Sequence, residues 1–122
     1  MFSHVMVGAN DLAASKKFYD AVLGAIGIGP GVPDKNRYFY MSPTGVFAIT
    51  TPINGKPAAS ANGGTVGFAV KSAEQANAFH AAGVANGGTT CEDPPGMRES
   101  GIYLAYLRDP DGNKICALYR PS

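Results

Sequence analysis

An internal repeat constrains this chain more than any other feature. Residues 65–88, TVGFAVKSAEQANAFHAAGVANGG, are a second copy of residues 4–27, HVMVGANDLAASKKFYDAVLGAIG. The displacement pairs Val5 with Val66, Phe18 with Phe79, Ala21 with Ala82 and Gly27 with Gly88, and matches apolar Val7 to Phe68 and Leu23 to Val84. Identities alone mean little in an alanine-rich chain. The repeat is credible because both copies change from an alternating to a helical period at the same place, just after Asp11 and Ser72. Halves of a 122-residue chain are too small to be stable apart, so they must share one core.

Within each copy the pattern predicts its own elements. Residues 2–9 alternate as a strand, with His4, Met6 and Gly8 on one face and Ser3, Val5 and Val7 on the other. Asn10 or Asp11 supplies a side-chain oxygen to cap a helix ending near Gly24, whose apolar stripe is Leu12, Ser15, Tyr19 and Val22 with Phe18 beside it. Residues 25–34, broken by Gly and Pro, read as loop. RYFYM (37–41) and GVFAITT (45–51) then form a hairpin around SPT.

A Pro- and Gly-containing linker at 52–63 divides module one (1–51) from module two (64–122) within a single domain, 1–122. In the second module Ser72 and Gln75 have the spacing of a capping box, and Gly83 to Gly88 ends the helix. TTCED (89–93) reads as a short strand, PPGMRESG (94–101) as loop, and IYLAYLR with NKICALY as a hairpin closed by the DPDG turn at 109–112. The predicted fold class is α+β: two tandem βαβββ modules forming a curled mixed sheet around a central cavity. Each sheet has one face covered by its helix and a concave face left for its twin or for a ligand.

Composition narrows the partners. A net charge of +1 with 16% charged residues provides no basic field for nucleic acid and no polybasic patch for a membrane surface. No apolar run approaches the roughly 20 residues of a membrane span, and His4 lies too near Met1 for a signal peptide, so a cytoplasmic location is expected. Cys91 and Cys116 form no CxxC pair and suit free thiols in a reducing compartment.

With the repeat, the motif H-V-x-V-G-x-x-D-L-x-x-S-x-x-F-Y (His4 to Tyr19) and L-R-D-P-D-G-N-K-I (Leu107 to Ile115) give a sequence that resembles the vicinal oxygen chelate superfamily. That group includes glyoxalase I, the extradiol dioxygenases and the bleomycin and fosfomycin resistance proteins. The resemblance implies a divalent metal held in the concave cavity by four strand positions. Carried onto this chain, the first falls on His4 and its twin on Thr65. The C-terminal glutamate position, four residues after the glycine of DPDG, falls on Cys116, and its first-module counterpart, four after Gly45, on Ile49. Only His4 is a retained ligand, so no metal cofactor is expected; a lone imidazole with one thiol makes a weak site for any divalent ion.

Two functions follow as expectations. One is a glyoxalase- or resistance-like homodimer binding a small organic molecule, without metal, in a cavity lined by His4, Thr65, Cys116 and Ile49. The other is a glyoxalase-type lyase or isomerase acting on a thiol conjugate, with a weakly held metal or with His4 and Cys116 as catalytic acid, base or nucleophile. Arg98, in the acidic loop after Cys91, is the candidate carboxylate or phosphate clamp. Tyr40 and Tyr103, on strands whose alternate residues face inward, are candidate lining residues. DPDG reads as a turn and not a calcium loop, because Pro110 fixes φ, Gly112 tolerates positive φ and the other ligands of such a loop are missing.

Overall fold

The structure is a computed structural model that describes residues 1–121. Module one runs β1 (His4–Gly8), α1 (Leu12–Gly24), β2 (Val32–Asp34), β3 (Arg37–Ser42) and β4 (Gly45–Thr50). Module two runs β5 (Val66–Ala69), α2 (Ala73–Ala85), β6 (Thr89–Thr90), β7 (Gly96–Met97), β8 (Tyr103–Arg108) and β9 (Lys114–Tyr119). Strand pairing divides the mixed sheet into two, with orders β1-β4-β3-β2 and β5-β9-β8-β6, β7 being attached to β8. In each, the first strand of the module lies parallel to the last, and β1 and β5 are both edges.

Both helices start where the capping residues require. Asp11 accepts the N–H of Ala14 at 3.1 Å. Ser72 accepts that of Gln75 at 3.1 Å, and the Gln75 amide oxygen reaches back to the N–H of Lys71 at 2.8 Å.

Two short strands lie where loop was expected. Val32-Pro33-Asp34 pairs with β3, and it tolerates Pro33 because β2 is an edge strand whose outer side needs no donor. Gly96–Met97 pairs with Leu104 and Tyr103 inside the segment read as PPGMRESG loop. Pairs of two or three residues leave too short an alternation to be seen in sequence.

One core serves both modules. The covered face of the first sheet carries Val7, Tyr38, Tyr40, Phe47 and Ile49; that of the second carries Phe68, Ala105, Leu107, Ile115 and Ala117. Between them pack Phe18, Tyr19, Val22 and Leu23 of α1 and Phe79 of α2, all fully buried. An aromatic chain runs across the seam, from Tyr19 to Phe47 (4.7 Å between centroids), Phe47 to Phe68 (5.2 Å) and Phe68 to Phe79 (5.9 Å). Helix–helix contact is close because Gly83 has no side chain: a Cβ there would stand 2.4 Å from Leu107 Cδ1 and 3.1 Å from Val22 Cγ1.

The DPDG segment is a turn, with the N–H of Gly112 donating to Asp109 O at 2.9 Å and Gly112 at φ +88°. It also fastens the modules together. Asp109 Oδ2 accepts the hydroxyl of Tyr19 at 2.7 Å, Asp111 Oδ1 accepts the N–H of Asn10 at 2.8 Å, and the Asn113 amide donates to Gly8 O at 3.2 Å. Among the described residues no helix is long and apolar enough to cross a membrane.

Candidate functional site

The strand registers decide which side chains share a face. In the first sheet His4 stands opposite Val46 and Met6 opposite Ala48, while Val46 and Ala48 oppose Met41 and Phe39. His4, Met6, Val46, Met41, Phe39 and Arg37 therefore share the open face, turned away from the helices. This face is unusually apolar: Met6 is 37% exposed, Met41 59% and Val32, beside them on β2, 54%.

Two concavities meet on it. One is a slot of about 310 Å³ that runs into the seam between the edge strands, walled by Val5, Tyr40, Phe47, Val66 and Phe68. The other is an open trough of about 650 Å³ over Met6, Phe39 and Met41, with Arg37 along it. His4 and Val46 line both. The His4 ring is exposed and its Nδ1 is engaged by the Ser3 hydroxyl at 2.8 Å, which leaves Nε2 as the ring atom for a guest.

The other residues singled out in the sequence are placed as follows. Tyr40 reaches the slot from the core side; its hydroxyl donates to Asp20 Oδ1 at 2.8 Å. Burial, with the Asp20 carboxylate next, raises its pKa far beyond the ordinary phenol value, so it stays a neutral donor. Thr65 is exposed just before β5 and lines neither concavity. Tyr103 lies on the covered face of β8 and donates to Asn77 Oδ1 at 2.7 Å. Arg98 is spent on its own loop, donating to the carbonyls of Asp93, Pro94 and Gly96 at 3.2, 3.0 and 3.1 Å. It is not presented as an anion clamp.

Ile49 requires a correction. It is fully buried on the covered face, opposite Val7 and Tyr38, and does not line the cavity side. Counting four residues from the turn glycine assumed equal turns, but Arg108 pairs with Lys114 across the longer Asp109–Asn113 turn, whereas Ser42 pairs with Gly45 directly. A one-residue difference reverses the face of a strand. Cys116 opposes Gly67, whose counterpart by the repeat is Met6, and Met6 opposes Ala48. Ala48, not Ile49, is thus the first-module counterpart of Cys116.

Cys116 lies on the open face of the other sheet, in a row with Gly67 and Tyr106. It is 5% exposed, and burial raises its thiol pKa, with Lys114 opposing. Cys91 is likewise raised by burial. Neither thiol is primed as a thiolate at neutral pH, and neither His4 concavity is lined by Cys116. Lys114 lies 4.9 Å above the Tyr106 ring and pairs with Glu92. His80 serves packing: it bonds the Thr90 hydroxyl at 3.0 Å, and burial lowers its pKa.

A divalent metal needs several converging nitrogen, oxygen or thiolate donors. His4 has Met6, Val46 and Met41 as its neighbours on the face, and among the described residues no three His, Cys, Asp or Glu side chains assemble a site. The donors within one chain do not fit such an ion.

A family model for the Glyoxalase/Bleomycin resistance protein/Dioxygenase superfamily matches residues 1–117. The chain belongs to this superfamily. Among its members, a glyoxalase/bleomycin resistance protein from Albidiferax ferrireducens T118 is similar over 99% of both chains, with 74% identity and a TM-score of 0.97. A glyoxalase-related enzyme from Fulvimarina pelagi shares 22% identity at a TM-score of 0.80, covering 99% of this chain and 88% of its own. A lactoylglutathione lyase from Agrobacterium tumefaciens shares 20% at 0.66, covering 98% and 92%. The latter two show the superfamily fold alone. No curated protein matches.

Proposed function

We propose that this member of the superfamily binds a small, largely apolar organic molecule at the junction marked by His4, without the divalent metal of its relatives. The observation that carries the reading is the meeting of an aromatic slot and an apolar trough at one exposed imidazole that, among the described residues, belongs to no group of three metal-ligating side chains. His4 contributes a hydrogen bond through Nε2, and the apolar walls supply most of the binding energy. Cys116, whose pKa burial raises, is a packing residue of the opposite sheet and not a nucleophile.

The protein works as a homodimer, because the open face, with Met6, Val32 and Met41 uncovered, is of the kind that a twin module roofs over. The unpaired thiols suit the cytoplasm. A thermal-shift screen of small aromatic and aliphatic compounds, run with and without chelator on the wild type and His4→Ala, tests the reading. Stabilising compounds indifferent to chelator and weakened in His4→Ala are expected. Loss of binding on chelation, one metal ion per chain after chelator-free purification, or turnover of a thiol conjugate would overturn it in favour of a lyase. Light scattering should give a dimer mass.

A further inference from the structure

The trough has a second polar marker, distinct from His4. Three described residues carry a buried side-chain polar atom without a partner: Ser15 Oγ, Asp111 Oδ2 and Arg37 Nε. Of these, only Arg37 lines either concavity. Its guanidinium lies 5.5 Å from the centre of the Phe39 ring, in the trough floor, and is steadied by Asp34 through a single contact, Nη2 to Oδ2 at 3.1 Å. The side chain is 34% exposed. Asp34 therefore takes one N–H of the guanidinium, Nε is enclosed, and the part-exposed end of the side chain lines the trough, where its other N–H groups can receive an anion.

The register fixes how Arg37 stands relative to His4. His4 opposes Val46, and Arg37 opposes Thr50, four residues further along the same strand on the same face. At about 3.3 Å per residue and about 4.8 Å between strands, the two backbones are about 16 Å apart. Their side chains shorten that span, and Met6, Ala48 and Phe39 pave the floor between the corners. A guest that satisfies both ends is apolar along its length and anionic at the end that meets Arg37.

We propose that Arg37 is the specificity-determining residue of this site and that its ligands are small aryl or alkyl carboxylic acids, the carboxylate held by Arg37 and the apolar body lying on Phe39 and Met6 toward His4. This rests on the binding reading above and adds charge selection to it. The role expected of a basic clamp belongs to Arg37 and not to Arg98, whose donors are consumed by its own loop. A guanidinium in an apolar wall selects a carboxylate over its neutral amide because the charged hydrogen bond is the stronger one.

Titration calorimetry of the intact protein with 4-phenylbutyrate and with 4-phenylbutyramide tests the proposal, with the methyl resonances of Met6 and Met41 reporting where each probe sits. The acid should bind at least about tenfold more tightly than the amide and shift both methyls. Arg37→Gln, which keeps an aliphatic stem and a hydrogen-bonding end group but is shorter and uncharged, should abolish the preference while the amide binds as before. Asp34→Asn, which removes the carboxylate that pairs with Arg37, should retain or sharpen the preference. Equal affinities in the wild type, or a preference that survives Arg37→Gln, would overturn the proposal and leave the binding reading standing. Failure of both probes to shift either methyl would overturn the two together.

Discussion

The hydroxyl of Tyr19 donates to Asp109 Oδ2 at 2.7 Å, joining α1 of the first module to the β8–β9 turn of the second across most of the sequence. Both groups are buried, and Asp109 also receives the N–H groups of Asp111 and Asn113 and the Asn113 amide. Burial, then the Asp109 charge, raises Tyr19 well above an ordinary phenol, so it remains a donor at any working pH. The turn is therefore a fastening between modules. Tyr19→Phe keeps the ring packing on Phe18 and Phe47 and removes only this donor. It should lower the stability by about 1.5–3 kcal/mol, the range for a hydrogen bond to a charged group. Urea unfolding of both proteins measures it, and a midpoint unchanged from wild type would refute the fastening.

Gly83 is a point of contact between α2, Val22 and Leu107. Alanine is the better helix former by about 1 kcal/mol, yet its methyl would enter space occupied by fully buried Leu107. Overpacking, at about 1–3 kcal/mol, outweighs the propensity gain here, and Gly83→Ala should lose up to about 2 kcal/mol net. A variant more stable than wild type in thermal unfolding would show that the helices can part without penalty.

Asp20 sets an acid limit on stability. Burial alone would raise its carboxyl, but the N–H of Gly31, the Lys16 ammonium at 2.5 Å and the Tyr40 hydroxyl together hold it below its ordinary value. A depressed carboxyl contributes stability that is present above its unfolded pKa, near 4, and lost as pH falls through its folded value. The Tm difference between wild type and Asp20→Asn should hold steady from about pH 8 to pH 5 and narrow below about pH 4. A difference that stays constant down to about pH 2 would count against this carboxylate.

Both thiols should be sluggish toward alkylation, since burial raises their pKa values. Intact mass after brief iodoacetamide treatment at neutral pH should show little labelling of the folded protein and full labelling in urea, with Cys116, the more buried, behind Cys91. Rapid labelling of Cys116 in the folded state would restore it as a candidate nucleophile.

Much of this architecture is legible in the residues themselves. The change of period after Asp11 and Ser72, the Asp11 and Ser72 caps and the glycine of DPDG are local signals, each set by backbone chemistry within a few positions. They suffice for two βαβββ modules, for the buried stripe of α1 and for His4 on an open face. β2 and β7 escaped because strands of two or three residues carry no period of their own and exist only through the partner that pairs with them.

The site divides the same way. Alternation along β1 determines that His4 and Met6 share a face. Which residue of β4 joins them depends on the length of a turn, and one residue moved the position from Ile49 to Ala48. Arg98 and Arg37 are both arginines near acidic residues in the sequence. Only the folded chain shows the first bound to three carbonyls of its own loop and the second held by one carboxylate contact at the edge of a trough, because the path of the backbone decides which groups a side chain meets.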